Sequence, residues 1–349
     1  MLAIHDDIQE ILVKDYNPFN PPLRDLQELD FYGFISFHPV HWNAVQDLIV
    51  QNGGFHTIKL FGAPWMLSYI SLKYASLLCT KPAFPVVDAE GKSCGSLSPL
   101  RILRIPAEPC HKTCSGGFRQ LQTLQIKWTI VRTFLDLSEF AQAIRIFVKN
   151  LKQNMSDGPA VDRFGDTRNE VQHRMLCLPK PDDPLGFIFN TCDMPGKQIA
   201  RELDVYRVCW LAARIFTTHV TFPLPCLRPF RENLLPQLQG TISKILDHQA
   251  NDNGSNESDV LEILLWCTMI GGIAAEDGAP ARRLWYAFQL KRLYLSLNIQ
   301  SWTRMQELMR SFAWVDVGCD NAGYSLWMEA QRVEDYRAPL EEPCVVEIA

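Results

Sequence analysis

The chain has 349 residues, is 47% hydrophobic and 21% charged, and carries a formal net charge of −5. That composition is globular rather than disordered, and the length permits one large core or two ordinary ones. The acidic balance excludes a domain that grips nucleic acid through a broadly basic surface, because phosphate contacts dominate such affinity.

The opening residues, MLAIHDDIQEIL, are acidic where a secretory signal would be basic. The eleven scattered cysteines therefore read as reduced thiols in a nuclear or cytosolic protein, most of them small core hydrophobes. The most apolar run, Val260 to Ala275, contains Glu262. It falls short of the ~20 residues of a membrane span and suits a buried helix.

In chain order, a proline-rich crossing (Asn17 to Pro22) precedes the first periodic segment. From His41, Trp42, Val45, Leu48 and Ile49 share a helical face, and Gly53-Gly54 stops the helix. Pro64 to Leu78 is apolar almost all round, which predicts a buried helix. Residues 80–117 are rich in proline and glycine and read as irregular. A helix is expected from about Leu137, with Leu137, Phe140, Ile144, Phe147 and Leu151 in one stripe. Residues 155–186 are polar and proline-containing and again read as irregular, with Leu185 to Asn190 a short, isolated strand candidate.

The clearest helix runs from about Gly196 to Phe222, where Phe-Pro-Leu-Pro breaks it. Another is expected over Pro229 to Gln249, and the small polar tract 251–258 reads as an exposed loop. Asp259 is placed to cap a helix over Val260 to Ala275. Pro280 opens the next helix, whose stripes (Tyr286, Leu290, Leu293, Leu297 and Leu284, Phe288, Leu295) predict burial on two sides. Ser301 is placed to cap a helix carrying Trp302, Met305, Leu308, Met309 and Phe312. Asp320 is placed to cap a last one carrying Leu326 and Trp327. The expectation is one all-α, bundle-like domain of many helices with long irregular crossings.

Motifs for chemistry are sparse. Cys94, Cys110, His111 and Cys114 offer four soft ligands, but their spacing matches no compact zinc module. Asp6-Asp7, Asp182-Asp183 and Glu341-Glu342 are adjacent acids, which point apart on a helix and read as solvated surface. No nucleophile elbow and no phosphate-binding loop occurs. Gly271-Gly272, inside an apolar helical run, reads as a point of close helix packing. His219 reads as a surface or satisfied core histidine. Trp266, Trp285, Trp302, Trp314 and Trp327 read as core, and Arg282, Arg283, Lys291 and Arg292 as a solvated helix face. Neither a catalytic residue, nor a metal, nor a cofactor is expected.

One ordered set of residues carries a resemblance. Gly271-Gly272-Ile273-Ala274-Ala275, Arg283, Trp285, Ser301-Trp302, Phe312-Ala313-Trp314, Cys319-Asp320, Gly323 and Leu326-Trp327 are similar to the closing segment of the fungal-specific transcription factor domain. Gly53-Gly54, Thr80 to Pro85 and the long helix ending in Phe222 to Pro225 fit the same pattern upstream. The sequence departs from it at Asn52, where the family favours arginine, and it shows no six-cysteine zinc cluster.

The resemblance implies a regulatory domain over residues 38–330, flanked by an extension (1–37) and a tail (331–349). It implies a transcription-regulator role in the nucleus (alternatively the cytoplasm). Such a domain works through an effector, a dimer partner or the transcription machinery, and this chain would not bind DNA tightly by itself. Two other classes compete. A helical enzyme would show a buried polar pocket with converging ionisable groups, and a structural interaction module a large exposed apolar patch.

Overall fold

A computed structural model describes residues 16–34, 38–93, 95, 97–106, 117–149, 157–190, 195–225, 227–249 and 257–333. The fold is all-α, with no strand among the described residues and two isolated bridges, Val87 to Ser93 and Ile126 to Phe189. The α-helices longer than a single turn among the described residues are α1 (Leu29–Phe34), α2 (Pro39–Gln51), α3 (Ala63–Leu78), α4 (Trp128–Lys149), α5 (Gly158–Cys177), α6 (Gly196–Phe216), α7 (Arg228–Gln249), α8 (Glu257–Ala274), α9 (Pro280–Ser296), α10 (Trp302–Ser311) and α11 (Asp316–Arg332). None of them is long and apolar enough to cross a membrane.

Local chemistry sets several boundaries. The His38 side chain accepts the Val40 N–H and opens α2, and Gly53 and Gly54 leave it at φ +92° and +100°, where glycine has no steric penalty. Asp157 accepts the Ala160 N–H to cap α5, and Ser301 accepts the Arg304 N–H to cap α10. Pro280 stands in the first turn of α9, where its missing N–H costs nothing. Past Phe216, α6 widens into a π-helical turn, Thr217–Thr221, before Pro223 ends it.

Two groups of helices share one core. In the C-terminal group α6, α7 and α8 pack against one another, α8 packs on α9, and α11 covers both α8 and α9. In the N-terminal group α5 lies between α3 and α4. The seam is the 3₁₀ turn Gly117–Gln122, which touches α4, α8 and α10. There Phe118 meets Phe134, Trp266 and Phe312 at ring separations of 5.0, 5.0 and 5.2 Å. Gly117 is obligatory: a Cβ would sit 1.8 Å from the Ser311 carbonyl oxygen, at φ +54°. Phe19, Leu23, Leu26 and Leu29, from the segment before α2, are buried in this same core.

The structure corrects several expectations. Residues 158–177, read as irregular, form α5. Its buried face mixes Phe164, Val171 and Met175 with Thr167, Arg168, Asn169 and Gln172, so no apolar period marks it. The helix expected from Leu137 begins at Trp128, and Leu151 lies outside the described residues. On α2 Ile49 is buried, whereas Leu48 is 60% exposed. The second stripe of α9 also fails, since Leu284 and Leu295 face solvent. Asp259 and Asp320 are not caps: α8 starts at Glu257 and α11 at Asp316, so both acids lie one turn or so inside. That start also places Glu257 and Ser258 in a helix rather than a loop, while 251–256 lie outside the described residues. Leu185–Ile188 is a single helical turn, and Phe189 makes the bridge.

Candidate functional site

The residues singled out at the C-terminal end meet in packing, not in a cavity. A Cβ on Gly271 would lie 2.6 Å from the Tyr286 ring, and one on Gly272 would lie 2.4 Å from Leu326 Cδ2. The pair therefore lets α9 and α11 approach α8 more closely than any side chain would allow. Arg283 is buried at this contact rather than solvated. It donates to the Gly272 carbonyl (2.5 Å) and to both Glu329 oxygens (2.9 Å each). That bond holds the Glu329 carboxyl below its ordinary range.

Trp314 is fully buried and donates Nε1–H to Asp320 Oδ1 at 2.8 Å, while Gln306 donates to the other oxygen at 2.9 Å. A Cβ on Gly323 would lie 2.9 Å from Trp314 and 3.0 Å from Trp302. Trp285 and Trp327 are buried, and Trp302, half-buried, packs 6.3 Å from Trp327.

His219, on the π-helical turn, is also sealed in. Arg231, itself buried, donates to His219 Nε2 (3.2 Å), to the Tyr16 carbonyl (3.1 Å) and to Asp277 (2.5 Å). An arginine can only donate. The imidazole is therefore the tautomer with its proton on Nδ1, given to the Ile215 carbonyl at 2.8 Å. Burial first, then the Arg231 charge, pushes its pKa down to about 3. This is a satisfied core histidine.

Asp182 and Asp183 are surface residues, with Asp182 paired to Arg207 at 2.7 Å. Cys94, Cys110, His111, Cys114, Asp6-Asp7 and Glu341-Glu342 lie outside the described residues. Among the described residues no three His, Cys, Asp or Glu side chains converge as a metal site requires.

The feature with the makings of a binding site lies away from every motif. A cleft of about 580 Å³ opens between the 26–32 segment, α3, the turn at 88–90 and the start of α5. Its carboxylates are Glu28, Asp88, Glu90, Asp162 and Asp166, and its aromatic walls are Tyr32 and Trp65. Trp65 stacks on buried Tyr69 at 5.2 Å, with the planes 12° apart, and the rest of the indole lines the cleft. Asp166 Oδ1 accepts from Trp65 Nε1 (3.3 Å) and Gln27 Nε2 (3.1 Å). Burial raises the Asp166 carboxyl above its usual range. Those two hydrogen bonds pull it back, and the charges of Asp88 and Asp162 push it further up.

The floor is held from behind by Arg168. This fully buried side chain donates to the Leu26 carbonyl (2.7 Å), to Gln27 Oε1 (3.0 Å) and to Asn169 Oδ1. Its guanidinium lies over the rings of Tyr69 and Phe222. These bonds clamp Gln27 and Glu28, which stand at φ +53° and +55°. Non-glycine residues seldom hold that conformation, and such strain persists where the surroundings over-determine it. Gly165 leaves the room: a Cβ there would lie 2.3 Å from the Gln27 side chain.

No family model, curated protein or solved structure matches the chain.

Proposed function

We propose that the chain is the helical regulatory domain of a transcription regulator, akin to the fungal-specific transcription factor domain, which receives an effector in the cleft at Asp166 and acts through protein partners. The observation that carries this reading is the cleft itself. Its volume falls within the range of small-molecule sites, and it combines aromatic walls with a few polar groups. Its rim at Gln27–Glu28 belongs to a segment whose preceding residues reach the far side of the fold. Asn20 N–H donates to the Gly318 carbonyl, and Tyr16 OH to Glu276. Occupancy of the cleft would thus bear on a strap bonded to the α8–α9 turn and to α11. Gly271, Gly272, Arg283, Trp314, Asp320 and Gly323, which carry the resemblance, all pack in the C-terminal group of helices. The nuclear setting and the partners rest on that resemblance.

The test is a reporter assay with the chain fused to a heterologous DNA-binding module. Asp166→Asn and Trp65→Leu, checked for an unchanged melting temperature, should change reporter output by several-fold. Output equal to the parent for both would refute the reading. A second reading, a helical enzyme, is favoured by one observation, the raised carboxyl of Asp166 in a cleft. Its weakness is that among the described residues no histidine, cysteine, serine or lysine lines the cleft beside Asp166, so the cleft offers carboxylates and a phenol but no nucleophile paired with a base.

A further inference from the structure

A second, more apolar depression adjoins the cleft. It holds about 550 Å³; Phe55, Ile58, Leu60, Phe61, Pro85 and Val87 make its apolar wall, and His56, Lys59, Glu90 and Ser93 also line it. Ala89 and Glu90 line both depressions, so the Asp88–Lys92 turn is the ridge between them. That turn is fixed from within. Asp88 Oδ1 accepts the N–H groups of Glu90 and Lys92, and Asp88 N–H donates to the Lys92 carbonyl. Leu60 and Phe61 are 74% and 79% exposed, an apolar surface that water solvates poorly. On the other side, among the described residues no lysine, arginine or histidine lines the acidic cleft. Lys92, on the ridge, pairs with Glu90. The carboxylates also do not converge tightly enough for a metal ion. They surround a larger volume, next to an indole and a phenol whose faces attract cations.

We infer that this pair of depressions takes an organic cation, an ammonium or guanidinium head between Asp162, Asp166 and Trp65, with an apolar tail laid across the ridge against Leu60 and Phe61. The inference rests on the reading of the cleft as the effector site and names the chemistry of that effector. The head would meet full or partial negative charge on several sides, while Trp65, already braced by Tyr69, presents a rigid surface. The tail would cover side chains that otherwise face water. An anion of the same length would be repelled, and a neutral alcohol would gain the tail contact alone.

The full chain is titrated by calorimetry with n-octylammonium chloride, sodium octanoate and 1-octanol, all below their aggregation limits, and with tetramethylammonium chloride. Octylammonium should bind about tenfold or more tighter than octanoate or octanol, and less tightly as salt is raised. Asp162→Asn and Phe61→Ser alter exposed side chains and should leave the fold intact. The first should weaken both ammonium probes several-fold. The second should weaken octylammonium and spare tetramethylammonium. Equal binding of octanoate, or octylammonium affinity unmoved by both variants, overturns the inference.

The two readings fail separately. If the reporter responds to Asp166→Asn but no ammonium probe binds, the cation assignment falls and the effector reading stands. If octylammonium binds as described while the reporter is indifferent to Asp166→Asn and Trp65→Leu, the effector reading falls and the cation site stands.

Discussion

Acidification should unfold this protein in part through His219. The imidazole is fully buried, donates from Nδ1 to Ile215 and accepts from the cationic Arg231. Its folded pKa of about 3 compares with ~6.5 in an unfolded chain. Below pH ~6.5 the unfolded state takes a proton that the folded state refuses. The stability owed to His219 is therefore fully present above pH ~6.5 and is lost as pH falls toward about 3. One proton is worth ~1.4 kcal/mol per pH unit, so the loss between pH ~6.5 and ~4.5 is on the order of 2–3 kcal/mol. That is a large part of the ~5–15 kcal/mol that holds a domain folded.

Urea unfolding at pH ~7 and ~4.5 measures it, with His219→Gln as reference. Glutamine offers an N–H and an oxygen to the same neighbours and does not titrate. Carboxylates contribute equally to both proteins, so the parent should lose ~2–3 kcal/mol more than the variant. Equal losses would show that the histidine is not buried neutral.

Gly272→Val should lower the melting temperature. Any Cβ there meets Leu326 at 2.4 Å and Tyr286 Cβ at 3.2 Å, and overpacking of this kind costs ~1–3 kcal/mol; calorimetry showing an unchanged or raised value would mean that α8 and α11 are not in contact. Trp285→Ala and Trp314→Ala should each cost ~3–5 kcal/mol, visible as insolubility or a shifted denaturation midpoint. Trp314→Phe should cost less, ~1–3 kcal/mol, because it removes chiefly the hydrogen bond to Asp320, and variants that melt like the parent would place these rings outside the core. The chain alone should show no sequence-specific gel shift at nanomolar concentrations and physiological salt, the range typical of specific binders.

The helices legible in the sequence are those whose buried face carries an unbroken apolar period. α10 buries only apolar residues and α8 almost only apolar ones; α3 and α6 keep the apolar period although Ser68, Lys73, Glu202, Asp204 and Arg214 are buried with it, and the expected limits of all four fall close to the observed ones. α5 was not legible because its inward positions carry Thr167, Arg168, Asn169 and Gln172, a pattern that mimics solvated surface. The side chains that define the cleft fail to signal for the same reason. Asp166, Asp162 and Glu28 are ordinary surface letters taken singly, and Trp65 looks like core. Only the clamp of Arg168 on Leu26 and Gln27, across 142 and 141 residues, brings them to one place. Conversely, apolar letters at helical spacing overstated burial at Leu48, Leu284 and Leu295. Gly271-Gly272 was readable as close packing because glycine inside an apolar helix carries a propensity cost that close approach explains.

The strap from Tyr16 to Leu29 has a consequence for synthesis. Tyr16 bonds to a partner 260 residues further along the chain, and Arg231 reaches back 215 residues to its carbonyl. Ribosomes add ~5–20 residues per second, so Tyr16, Phe19 and Asn20 leave the exit tunnel on the order of ten seconds to a minute before Glu276 and Gly318 exist to bond this segment. During that interval the segment is open to chaperones and to neighbouring nascent chains. The cleft rim at Gln27 can set against Arg168 once α5 has emerged, whereas the strap's bonds from Tyr16 and Asn20 wait for Glu276 and Gly318.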